Sequence, residues 1–169
     1  ILSTTGIPVL DSSGNLLGYR GADTDITEQK NAVKALLDSE QRFRNLYSNM
    51  GEGVCLQKLV FDYAGKAVDY RIFSVNHQYE NILNIRKDDV IGKLATEIYG
   101  VGFPPYLFEY QEVVTTGIPY TFETFYSPMN KHFRISVSPW DKDGFATIFT
   151  DITDRKKSEE IFLDVSAIF

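Results

Sequence analysis

The tripeptide Asp-Ile-Thr occurs twice, at 25–27 and 151–153, and each copy opens onto a charged segment of helical character. At an offset of 126 residues Lys30 falls on Lys156, Leu37 on Leu163 and Asp38 on Asp164. What precedes each copy also matches: a proline, an Asp-containing turn that ends in Gly14 or Gly144, then a strand-like run. The chain therefore reads as a module built in series, with a helix leaving each copy. It holds one whole module and the tail of another, and with no Met before Ile1 it is expected to be a piece of something longer.

At 169 residues there is room for one ordinary domain with flanking segments. Aromatics make up 14% of the chain, enough Phe and Tyr to fill a core and line a pocket. A net charge of −6 argues against a nucleic-acid-binding surface. No apolar run approaches roughly 18 residues, so neither a spanning helix nor direct membrane contact is expected. The single cysteine, Cys55, excludes an internal disulfide and fits a reducing, cytoplasmic setting, with a parent that could itself be membrane-tethered.

Residues 6–26 read as a β-hairpin around Asp11-Ser12-Ser13-Gly14-Asn15. Two strands alone are marginal in water, so the hairpin must dock on a neighbouring module or a partner chain. Residues 28–48 read as a helix with Thr27 as N-cap. Val33, Leu36, Phe43, Tyr47 and Met50 fit a and d of a heptad, with Glu40 the polar intruder. That stripe serves either a two-stranded coiled coil or a helix lying on its own domain. Gly51-Glu52-Gly53 breaks the helix, and 54–62 with 67–75 then read as paired strands. A helix begins near Asn76, a second covers 90–99 with Gly92 inside it, and a third covers 106–116. Gly100 to Pro105 is an irregular crossing and the loosest stretch. Strands at 120–127, 131–140 and 145–152 close the domain; in the second, Phe133, Ile135 and Val137 alternate with Arg134, Ser136 and Ser138. Strands segregated around a helical insert argue an α+β fold with an antiparallel sheet.

Four stretches, in this order, resemble a PAS domain (sensory box) of bacterial signalling proteins. Phe73 to Leu83 resembles the family's second strand and first core helix, and Asp88-Asp89-Val90-Ile91-Gly92-Lys93 the segment that follows. Phe122 to Pro128 resembles the third strand, and Phe145 to Thr153 the last strand with its exit signal. The resemblance implies a five-stranded antiparallel sheet with short helices on one face, a small-molecule cavity, and transmission through flanking helices in dimers. It divides the chain into the C-terminal hairpin of a preceding copy (1–27), a connecting amphipathic helix (28–50), a complete PAS domain (51–153) and an exit helix (154–169). Matching family positions make Tyr79, Leu83, Ile98, Tyr99, Phe122, Ile135 and Phe149 candidates for the cavity wall, each of which would serve equally as plain core. Asp151, Ile152 and Thr153 form the exit joint, where Thr153 caps the outgoing helix and Asp151 ends the strand.

Neither common prosthetic group of the family is expected. The helices before the third strand, where haem-binding relatives carry their axial ligand, contain no histidine; His77 falls at a helix start and His132 beside a turn. Cys55 lies in a strand, whereas flavin-adduct relatives carry their cysteine on a helix. Three or four clustered metal ligands, a phosphate loop and a nucleophile elbow are all missing, so the chain is not expected to be an enzyme. The expected role is a sensory or relay module of a sensor histidine kinase or, second, of a diguanylate cyclase, with an output domain downstream. It would take a small molecule in its cavity and homodimerise through Val33, Leu36, Phe43 and Tyr47. The competing reading is a ligand-free dimerisation spacer whose Phe and Tyr rings close the cavity.

Overall fold

The computed structural model describes residues 1–166, and side chains as far as Leu163. The chain divides into two compact units, Ile1–Leu46 and Tyr47–Phe169.

In the first unit β1 (Leu2–Leu10) and β2 (Leu16–Asp25) form an antiparallel hairpin. Asp11 holds its turn, its carboxylate accepting from the Ser13 and Asn15 amides at 2.8 Å each. Apart from Gly18 every residue of both strands is exposed, so neither face of this hairpin has a core. α1 (Thr27–Asn49) follows and runs across the division between the units.

The second unit is built on one antiparallel sheet in the order β4-β3-β7-β6-β5. Its strands are β3 (Gly53–Phe61), β4 (Ala67–Val75), β5 (Tyr120–Tyr126), β6 (Lys131–Pro139) and β7 (Gly144–Asp151). Between β4 and β5 the chain makes four short helices: α2 (His77–Leu83), α3 (Lys87–Val90), α4 (Ala95–Tyr99) and α5 (Leu107–Thr116). β7 leads into α6 (Thr153–Ser166); the remainder of the predicted exit segment, 167–169, lies outside the described residues. Successive strand residues point to opposite faces. Cys55, Leu59, Ile72, Phe133, Ile135, Val137, Phe145 and Phe149 therefore meet the helices on one face and are buried there.

Two details differ from the sequence reading. The predicted helix 90–99 is broken at Gly92, which takes φ +81°, a left-handed conformation open to glycine at little cost. The break turns the chain back onto β4: the Gly92 amide donates to the Ile72 carbonyl at 2.8 Å and the Ile72 amide to Lys93 at 3.1 Å. These bonds to the edge of β4 replace those of a continuous helix. The crossing at 100–105 is pinned at its far end, with Pro104 fully buried and the Pro105 carbonyl accepting from the Tyr70 hydroxyl at 3.1 Å.

Candidate functional site: a tyrosine-lined cavity and the exit joint

A cavity of about 60 Å³ lies between the inner face of the sheet and the helices. The sheet supplies alternate residues from four neighbouring strands: Tyr70; Cys55 and Gln57; Thr147 and Phe149; Phe133 and Ile135. α2 adds Tyr79 and Leu83, four residues apart and so on one helical face. Tyr99 enters from α4, Tyr106 and Pro105 from the crossing, Tyr110 from α5, and Tyr126 with Met129 from the end of β5 and the turn after it.

None of these side chains carries a formal charge. Burial pushes the hydroxyls of Tyr70, Tyr79, Tyr99 and Tyr110 and the Cys55 thiol above their ordinary values, so the wall is neutral throughout the physiological range. Its polar groups mostly find one another. Gln57 Nε2 donates to Thr147 Oγ1 at 2.8 Å, and the Tyr79 and Tyr99 hydroxyls share one hydrogen bond at 3.1 Å. The Tyr126 hydroxyl is fully buried, with no hydrogen-bond partner among the described residues.

Of the residues singled out from sequence, Tyr79, Leu83, Tyr99, Ile135 and Phe149 line the cavity. Ile98 and Phe122 do not; both pack at the margin of the core. Ile98 and Tyr99 are consecutive on a helix and point about 100° apart, so only one of them faces inward. Phe122 shares the inner face of β5 with Tyr126 but sits four residues away, its ring 5.4 Å from Tyr106. Alternation along β5 carries the signal for Tyr126, which sequence reasoning passed over. Gln57 and Thr147 had no local signal, because strands distant in sequence bring them together.

The exit joint is built differently from the expected cap. Asp151 Oδ1 accepts from the Thr153 amide at 3.0 Å and from its hydroxyl at 2.6 Å, so the aspartate caps α6. Thr153 Oγ1 accepts instead from the His132 amide at 2.9 Å, and buried Ile152 donates its amide to the His132 carbonyl at 2.8 Å. The tripeptide thus ties helix to strand β6 as well as β7. The first copy repeats the arrangement: Thr27 donates amide and hydroxyl to Asp25 at 2.9 and 2.5 Å, and the Ile26 amide donates to Ile1 at 2.9 Å. There too Asp25 takes the capping role expected of Thr27.

Lys131 joins this joint to the cavity wall. Its Nζ lies 2.9 Å from Asp151 Oδ2 and donates to the Ile82 carbonyl of α2 at 3.0 Å. Burial would raise the Asp151 pKa, but the bonds from Thr153 and Lys131 outweigh it and hold the carboxyl below its ordinary value. Farther along, Glu123 of β5 binds Arg155 at 2.6 Å and Lys156 at 2.9 Å. The Lys156 bond, then that of Arg155, lowers the Glu123 pKa, and Glu123 raises both cations in turn.

On α1, Val33, Leu36 and Phe43 are 52%, 69% and 59% exposed, whereas Tyr47 is half-buried with its hydroxyl 3.0 Å from Ser74 Oγ. Tyr47 is therefore held by its own domain, and Glu40 pairs with Arg44 one turn on at 2.6 Å. His77 is exposed, 3.4 Å from Glu80, while Asn76 caps α2. Among the described residues no cluster of three metal-ligating side chains occurs, and no helix is long and apolar enough to cross a membrane. The cavity wall offers haem no histidine ligand, and its only cysteine is on β3 rather than on a helix.

A family model described as "PAS domain" matches residues 60–154. Among solved structures, the PAS domain from Bordetella pertussis BvgS matches with a TM-score of 0.50 at 18% identity, over 78% of this chain and 99% of that one. An RNA-binding light-oxygen-voltage receptor matches with a TM-score of 0.52 at 13% identity, over 99% of this chain and 44% of that one. A domain of an HTR-like protein from Haloarcula marismortui has a TM-score of 0.48 at 18% identity, over 62% of this chain and all of that domain. At these identities the likeness concerns the fold alone. No curated protein sequence matches the chain.

Proposed function

The chain belongs to the PAS domain family, and from that premise we propose that it is a sensory and signal-relay module of a cytoplasmic signalling segment, serving an output domain such as a histidine kinase. A small molecule in the cavity biases the geometry of α6 through the exit joint. The observation that carries this reading is the Lys131 bridge: α2, which supplies Tyr79 and Leu83 to the wall, shares through its Ile82 carbonyl one ammonium group with Asp151. A ligand that shifts α2 must also shift the partner that neutralises the α6 cap. Residues 1–27, whose joint shares the Thr-to-Asp bonds and the Ile amide bond of 151–153, are the end of a preceding PAS copy.

Exposure of Val33, Leu36 and Phe43 supports homodimerisation through α1. Phe43→Glu is then expected to shift the protein toward monomer in sedimentation while circular dichroism stays unchanged; a variant that remains dimeric excludes this interface.

Native mass spectrometry and thermal-shift screening of the 169-residue chain test the sensory role. A co-purifying small molecule is expected, or an added one that raises the melting temperature by mass action. A bare mass and a melting temperature that no compound moves would favour the ligand-free spacer instead.

A further inference from the structure

We propose that the cavity takes a small neutral molecule of about four to six non-hydrogen atoms that presents a hydrogen-bond acceptor to the Tyr126 hydroxyl. The inference deepens the sensory reading above and rests on it.

Volume sets the first bound. About 60 Å³ corresponds to about four to six water-sized positions, and it is well under the roughly 150 Å³ of an engineered cavity that holds benzene. Charge sets the second. A carboxylate or ammonium ion on this wall would meet no counter-charge, and its desolvation would go uncompensated. Hydrogen-bond inventory sets the third. The Tyr79 and Tyr99 hydroxyls share one bond at 3.1 Å, which leaves one of their two hydrogens uncommitted. Tyr126, its ring 6.3 Å from that of Tyr99, adds a second uncommitted hydrogen on a buried oxygen. Tyr70 and Gln57 donate elsewhere in the wall. The free O–H of Tyr126, beside the one left over from the Tyr79–Tyr99 pair, selects a carbonyl or ether oxygen at that end of the cavity, with aliphatic groups against Phe149, Ile135 and Leu83.

Three probes of one shape separate these factors: acetone, isobutene and acetate are trigonal, with four non-hydrogen atoms each, and differ only in polarity and charge. Each is titrated into the chain and followed by its amide resonances, in the wild type and in Tyr126→Phe. The variant removes an oxygen that has no partner, so it is expected to fold as well as the wild type. Acetone is expected to give saturable shifts at Cys55, Thr147 and Tyr126, to bind more tightly than isobutene, and to weaken about fivefold in the variant, the effect of one neutral hydrogen bond. Isobutene is expected to bind both proteins alike, and acetate neither. Isobutene matching acetone in the wild type, acetone indifferent to Tyr126→Phe, or acetate saturating the same resonances would each overturn this assignment and leave the sensory role standing. If no probe perturbs the cavity resonances, this assignment falls, and the sensory role is decided by the compound screen above.

Discussion

Asn76→Ala should be among the most damaging single substitutions in the second unit, although its side chain neither lines the cavity nor belongs to the exit joint. The side chain is 3% exposed and makes four hydrogen bonds. Oδ1 accepts from the Val54 amide at 2.9 Å and the Tyr79 amide at 3.0 Å; Nδ2 donates to the Glu52 carbonyl at 2.9 Å and to Tyr47 at 3.1 Å. One amide thus joins the last turn of α1, the start of β3 and the start of α2. Losing the α2 cap costs about 1 kcal/mol. The stranded Val54 amide costs about 1–3 kcal/mol, and each abandoned carbonyl about 0.5–1.5 kcal/mol where water does not replace the donor. With partial access of water, a loss of about 3–5 kcal/mol is expected. Urea denaturation followed by circular dichroism would read this as a midpoint shift of about 2 M for an m-value near 2 kcal/mol/M. Asn76→Ser restores a capping oxygen and should recover about 1 kcal/mol of it. A loss below about 1 kcal/mol for Asn76→Ala, at unchanged m-value, would refute the reasoning, since the four bonds would then be freely exchanged for water.

Gly53→Ala would drive a Cβ into the Phe149 ring, whose Cε1 and Cε2 would lie 2.7 Å away; a loss of about 1–3 kcal/mol is expected, with Phe149 resonances displaced. Lys131→Met should leave the sheet intact while amide exchange at Lys156, in the first turn of α6, rises about two- to fivefold. Asp151 and Glu123 both titrate below their ordinary values. The folded state therefore binds fewer protons than the unfolded one between the two sets of pKa values, and the contribution of both groups is complete above about pH 5 and lost as pH falls through the lowered values below about pH 4. α6 amide protection followed from pH 7 to pH 3 should fall before the sheet does, and loss of the two together would show that the helix is not separately anchored.

Much of the architecture was legible locally. Phe133, Ile135 and Val137 alternate with polar neighbours, and they are the buried face of β6. Asp-Gly at 143–144 closes the β6–β7 hairpin, and the repeated Asp-Ile-Thr marks two helix exits of the same bonding pattern. These features depend on neighbours within a few residues, where side-chain period and turn chemistry act without knowledge of the rest of the chain. What depended on distant partners was not legible. Gly92 reads as a weak point within a helix until the edge of β4 arrives to accept its amide. Thr153 reads as a cap until His132, 21 residues earlier, claims its hydroxyl. Tyr79 and Tyr99 fell on the cavity and Ile98 and Phe122 beside it, because a helix rotation of about 100° or a few residues' travel along a strand decides which ring faces inward. The polar pair at the back of the cavity, Gln57 and Thr147, is 90 residues apart and exists only because β3 and β7 lie side by side at the centre of the sheet. The sequence by itself determined the strands, the helices apart from the break at Gly92, and the exit joint's residues, all governed by short-range periodicity and turn or cap chemistry. Only the tertiary structure decided which hydroxyls face the cavity and that Lys131 joins its wall to α6, because those contacts are made between elements that meet only after the sheet has formed.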